Sequence, residues 1–207
     1  KDEILSTMWE DFQVDSYGAE WDYIEPSIWS WATGILIKEL NTKETVAHFH
    51  EWLSGPGLLY LKKNSSVATV FTTHATMLGR SISGSGKNLY EMLPGLDPEH
   101  EAIKNGVRQK FSLEKAAAQN ASVFTTVSET TGIEAEKILG RKPEVLVLNG
   151  LDLGKFPTIE ETSRKHVEAR NKLREYLTMH FFPYYQFDLE RNLSFFYVGR
   201  YEYHNKG

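Results

Sequence analysis

Five short apolar runs recur along the chain, separated by stretches of helical character. Residues 45–48 (TVAH), 67–73 (VATVFTT), 123–127 (VFTTV), 145–148 (VLVL) and 193–198 (LSFFYV) are short and rich in β-branched and aromatic residues, which predicts strands. A short helical stretch runs through Leu58, Leu59, Tyr60 and Leu61. Residues 79–86, with Gly79, Gly84 and Gly86, read as a glycine-rich loop. A long helix is expected from about Pro98 to Ala121, with Pro98, Glu99 and Glu101 in its first turn. Residues 129–139 form a helix with Ser128 as N-cap and Gly140 as stop. Residues 159–179 form a charged helix. Before Thr45 the chain reads as helical, and Trp21, Ile24, Ile28, Trp31 and Ile35 repeat at spacings of three and four as a core face. Apolar runs alternating with helices predict an α/β fold: a Rossmann-like parallel sheet with helices on both faces.

Composition adds exclusions. The 207 residues are 41% hydrophobic and 25% charged, with 15 Gly and 7 Pro, which excludes collagen, low complexity and wholesale disorder. The length suits one or two domains. With 23 basic against 28 acidic residues and no basic block, a nucleic-acid partner is not expected, whereas a local anion site is compatible. The absence of cysteine removes disulfides, zinc-thiolate sites and thiol nucleophiles, and fits a cytoplasmic protein. The longest apolar stretch, near residues 28–37, is too short to span a bilayer, and no signal peptide opens the chain, so no membrane association is expected. The chain starts on Lys1 and stops just after a strand-like run, so both ends are expected to be cuts in a longer protein.

The candidate chemistry lies where the strands end. Those ends carry His48-Phe49-His50-Glu51, His74, Ser128, Asn149-Gly150 and Arg200. In an open parallel sheet they share one edge, where ligands bind. Ser128 and Asn149-Gly150 have local reasons to sit there, as cap and turn. His74 and Arg200 have none. Six residues after His74 comes Arg80, and six after Arg200 comes Lys206, so paired cations stand at two strand ends and fit a diphosphate. No Walker-type loop or GxGxxG fingerprint occurs. A metal hydrolase built on His48, His50 and His74 is a competing reading, and it needs further ligands.

These residues carry a resemblance. Residues 47–53 (AHFHEWL), 67–80 (VATVFTTHATMLGR), 113–121 (LEKAAAQNA), 123–135 (VFTTVSETTGIEA), 141–143 (RKP), 149–156 (NGLDLGKF) and 199–207 (GRYEYHNKG) are similar, in order, to the eukaryotic-type glycogen synthases of glycosyltransferase family 3. The resemblance implies a two-domain GT-B fold. Residues 1–155 would be the later part of the N-terminal Rossmann-like domain, and 156–207 the incomplete start of the C-terminal nucleotide-binding domain. It implies retaining transfer of glucose from UDP-glucose to the non-reducing end of an α-1,4-glucan, with no metal and no other cofactor. His74 and Arg80 match the family's donor-contacting His and Arg, and Arg200 and Lys206 its diphosphate-holding Arg and Lys. The family's glycine-rich donor loop would precede Lys1 and its catalytic-site glutamate would follow Gly207, so no catalytic residue is assigned within this chain and the isolated piece is expected to be inactive. His50 and Glu51 are cleft or framework residues with no assigned step.

The family's glucose-6-phosphate residues fall on Glu160 in place of a His, on Glu161, on Ser163 in place of a Gln, on His166, and on Arg170 in place of a Lys. Glu161, His166 and Arg170 are thus a weak effector-phosphate set, and a solvated helix face with ion pairs is the simpler reading. A non-catalytic glucan- or nucleotide-sugar-binding module is the alternative function. ADP-glucose in place of UDP-glucose, and the oligomeric state, homo-oligomers included, stay open.

Overall fold

The computed structural model describes residues 1–186 and 188–199, which fall into two units, 1–149 and 150 onward. The first unit begins with helices α1 (Asp2–Phe12) and α2 (Trp21–Leu40). Four strands follow, β1 (Val46–His50), β2 (Ala68–Thr73), β3 (Val123–Thr126) and β4 (Val145–Leu146), all parallel and in the order β1-β2-β3-β4. The connections carry α3 (Glu51–Asn64), α4 (Met77–Gly84), α5 (Leu89–Met92), α6 (Pro98–Lys104), α7 (Arg108–Asn120) and α8 (Glu129–Leu139). This is the Rossmann-like α/β fold that the alternation predicts.

Register decides which strand residues meet the helices. Phe49, Phe71 and Phe124 are Cα partners across β1, β2 and β3, share one face and are fully buried or nearly so. The Phe71 and Phe124 rings stack with centroids 6.0 Å apart. The opposite face of β1 presents Val46, His48 and His50, all exposed. Period-two alternation therefore points both histidines away from the core.

Helix α2 packs closely on α3, and small residues make this contact. Ser27, Ser30 and Gly34 are buried on α2, beside Tyr23, Ile24 and Trp31. Pro56 lies inside α3. The Gly57 amide donates to Ser30 Oγ at 2.9 Å, and Ser30 Oγ donates to the Ser54 carbonyl at 2.8 Å. A Cβ on Gly34 would lie 2.7 Å from the Gly57 carbonyl oxygen. The buried stripe is thus shifted from the expected one. Trp31 and Ile24 are core, but Trp21 is 61% exposed and Ile35 41% exposed. The close backbone approach selects Ser and Gly, which hydrophobic periodicity does not register.

Three other expectations need correction. Residues 79–86 are not a loop: α4 covers Met77–Gly84, with Thr76 as N-cap, its Oγ1 accepting the Gly79 amide at 2.9 Å. The long helix is two helices. Gly106 takes φ +68°, and the Val107 amide returns to the Ala102 carbonyl at 2.9 Å, a left-handed helix stop. Residues 193–198 form no strand; Leu193, Phe195, Phe196 and Val198 are 78–90% exposed. An apolar run becomes a strand only where a ladder partner accepts its backbone groups, and composition alone does not supply one. By contrast Ser128 caps α8, accepting the Thr131 amide at 3.1 Å, and Gly140 ends it at φ +73°.

The second unit holds α9 (Ile159–His180), capped by Thr158, whose Oγ1 accepts the Glu161 amide at 3.3 Å. Its surface carries the ion pairs Glu161–Lys165 at 3.3 Å and Arg164–Glu168 at 3.8 Å, and Arg174 pairs with Glu190 at 2.9 Å.

The α2–α3 contact yields a test. A Cβ on Gly57 would stand 2.6 Å from the Ser30 carbonyl oxygen and 2.9 Å from Phe49 Cε1. Gly57→Ala should therefore lower stability by about 1–3 kcal/mol, the usual range for overpacking. Urea unfolding reads this as a lower midpoint. Gly95→Ala is the control, since nothing lies within 4 Å of its added carbon.

Candidate functional site

The C-terminal ends of β1 and β2 bring the predicted residues together. His50 pairs with Thr72 in the ladder, two residues before His74. His50 Nδ1 and His74 Nε2 lie 3.2 Å apart. The His48 and His50 rings stand 4.1 Å apart by centroid, and His48 Nε2 contacts Thr72 Oγ1 at 2.7 Å. The His50–His74 contact is a hydrogen bond only if one ring nitrogen bears a proton and the other is bare. Burial, then the neighbouring His48 and His74, hold His50 below the usual imidazole range. The rings are tilted against one another, His50 bonds to His74 and His48 to Thr72, and among the described residues no group of three or more acidic, His or Cys side chains could hold a metal ion. Among the described residues the metal-hydrolase reading therefore finds no ligand set.

Glu51 ties this cluster to Arg80. It opens α3 with φ +62°, a left-handed conformation that costs a non-glycine residue about 1–3 kcal/mol. Its Oε1 accepts the His74 backbone amide at 3.0 Å and Arg80 Nη2 at 3.3 Å. Arg80 sits in the first turn of α4 and also donates from Nε to the Ala75 carbonyl at 3.3 Å. His74 and Arg80 are both exposed at the sheet edge, as a ligand contact requires.

Beneath them lie two carboxyls that the pattern of apolar residues did not single out. Glu114, fully buried on α7, faces Thr73 Oγ1 and the Met77 amide, each at 2.7 Å. Glu134, 4% exposed on α8, accepts the Thr76 amide at 2.8 Å and Thr76 Oγ1 at 2.6 Å. The signal was present: Glu114 falls three residues after Phe111 and four before Ala118, on an apolar helical face. Burial pushes the Glu114 carboxyl up to about 8, with Glu51 and Glu134 adding to the rise against its two hydrogen bonds.

Of the remaining predicted residues, Arg200 and Lys206 lie outside the described residues. Glu161, His166 and Arg170 are exposed on α9; Arg170 Nη2 reaches the Glu190 carbonyl at 3.5 Å, and Glu161 pairs with Lys165. Hydrogen bonds at the start of α9, from its own backbone amide and then from Thr158, hold the Glu160 carboxyl below the usual range. A cleft of about 410 Å³ lined by residues including Trp9, Asp15, Arg108 and Gln119 contains none of the sheet-edge residues.

The family model described as glycogen synthase matches residues 2–207. The chain belongs to the glycogen synthase family. It is 46% identical over 167 residues to the glycogen (starch) synthase of Caenorhabditis elegans, covering 80% of this chain and 25% of that protein. It is 42% identical over 189 residues to the enzyme of the same name from Dictyostelium discoideum, covering 88% of this chain and 22% of that one. Isoform 2 of glycogen (starch) synthase from Saccharomyces cerevisiae is 43% identical over 180 residues, 86% of this chain and 26% of its own. The chain thus spans about a quarter of the length of these relatives. No helix among the described residues is long and apolar enough to cross a membrane.

Glu114 gives a pH test with a definite sign. The folded chain holds this proton up to about pH 8, whereas an ordinary glutamate releases it near 4.5. Folding therefore takes up a proton between those values, and Glu114 makes stability fall as pH rises through that window. Glu114→Gln cannot titrate. Its stability relative to the parent, measured by urea unfolding at a series of pH values, should rise from pH 4.5 to 8 and level off above.

Proposed function

We propose that the chain is part of a cytoplasmic glycogen synthase with a GT-B fold, which transfers glucose with retention from UDP-glucose to the non-reducing end of an α-1,4-glucan. In this reading residues 1–155 belong to the N-terminal Rossmann-like domain and 156–207 begin the C-terminal domain. The observation that supports it most directly is the joint placement of His74, just past the end of β2, and Arg80, in the first turn of α4, around the Glu51 carboxylate in a chain of this family. His74 and Arg80 contact the sugar nucleotide, and Arg200 and Lys206 hold its diphosphate.

The chemistry asked of them is electrostatic. As the glycosidic bond to UDP breaks, negative charge grows on the departing diphosphate. Arginine and lysine held in place before the reaction stabilise that charge without having to reorganise. Glu51 fits an orienting role, since its carboxylate engages both Arg80 and the His74 backbone.

Single substitutions in the full-length protein test this reading. Arg200→Ala or Lys206→Ala should lower transfer from UDP-glucose by about 10²–10³, the usual loss for one such contact. His74→Ala and Arg80→Ala should lower it as well, with the fold kept as judged by circular dichroism. Parental turnover in Arg200→Ala would remove that residue from the site. Parallel assays with ADP-glucose assign the nucleotide.

Regulation by glucose-6-phosphate should be absent. Glu160, anionic at neutral pH, stands where the effector-binding members of the family carry a His, and a carboxylate repels a phosphate dianion. Transfer measured with and without millimolar glucose-6-phosphate should not change. A rise of about tenfold or more that Arg170→Ala abolishes would show that an effector site operates despite Glu160.

A further inference from the structure

Between the end of β2 and the start of α4 the backbone runs Thr73-His74-Ala75-Thr76-Met77. Helix α4 then begins with amide groups that have no acceptor within their own helix. Two of these groups, and the two threonine hydroxyls that flank His74, turn inward to carboxyls from other elements. The Met77 amide reaches Glu114 Oε2, and Thr73 Oγ1 lies against Glu114 Oε1, both at 2.7 Å. The Thr76 amide and hydroxyl reach Glu134 Oε1 at 2.8 and 2.6 Å, and Tyr90 donates its hydroxyl to Glu134 Oε2 at 3.3 Å. Thr73, Thr76 and Glu114 are all 0% exposed.

Gly79 belongs to the same arrangement. A Cβ there would stand 2.3 Å from Glu134 Oε1, so glycine is what lets α4 lie against that carboxyl.

We propose that Glu114 and Glu134 are positioning residues for the donor site. They clamp the backbone on both sides of His74 and fix the first turn of α4, so that His74 and Arg80 point outward in one geometry. This rests on the reading that His74 and Arg80 contact the sugar nucleotide. Burying a carboxyl is costly, and an apolar side chain would fill the same space without that cost. The carboxyls answer a need that an apolar side chain does not, because the turn exposes donors toward the core. Glu114 is largely neutral at pH 7, as its burial dictates.

The test uses the full-length protein, with UDP as the probe in calorimetry and with carbon-13-labelled histidine read by NMR. Glu114→Gln keeps the shape, an oxygen for the Met77 amide and a polar group against the Thr73 hydroxyl, so it should bind UDP within about threefold of the parent. Glu114→Ala and Glu134→Ala should shift the His74 ring signal, weaken UDP binding about tenfold or more, and raise KM for the sugar nucleotide more than they lower kcat. If an alanine variant fails to fold, Thr73→Val serves in its place, since it keeps the shape and removes the hydroxyl facing Glu114. Folded Glu114→Ala or Thr73→Val protein with an unshifted His74 signal and parental UDP affinity would overturn the proposal. His74→Ala separates the two readings. Should that variant keep parental UDP affinity while Glu134→Ala still shifts the His74 signal, the clamp on this segment stands and the donor-site assignment of His74 falls.

Discussion

A parallel strand that turns straight into a helix leaves backbone amides without ladder or helical partners, and everything placed at that junction depends on how they are satisfied. At the end of β2 the answer is two buried carboxyls, Glu114 on α7 and Glu134 on α8. The same contacts tie α7 and α8 to the backbone on both sides of His74. Exposed side chains at the edge are therefore set partly from below by polar groups in the core and partly by Glu51 beside them.

Much of the fold was legible because its signals are local. β-branched runs mark the four strands, and Ser128 and Gly140 mark the ends of α8 through cap and left-handed stop. The errors came where a residue serves a distant partner. Gly79 reads as a loop former, yet it is a helical residue made small by Glu134. Ser27, Ser30 and Gly34 lie outside the apolar repeat, yet they are buried where α2 packs on α3. Residues 193–198 have the composition of a strand but form none, since composition alone does not supply a ladder.

The site was legible in part for the same reason. Histidines at two strand ends and an arginine six residues on stand out, because no local structure calls for them. Glu51 was legible as a cleft or framework residue beside His50, but not its role: that lies in the left-handed turn that brings its carboxylate to His74 and Arg80, and backbone angles of that kind have no signature in a non-glycine residue. Glu114 and Glu134 announce themselves only when a carboxylate on an apolar face is treated as a question about its partner.

The turn at Glu51 also separates two kinds of fitness. Glycine adopts a φ of +62° freely, so a selection for thermal endurance alone would favour replacing Glu51. A selection that also demands the orientation of Arg80 and His74 would oppose it. A position where those two pressures point in opposite directions is where a library screened only for heat resistance drifts toward robust but idle proteins.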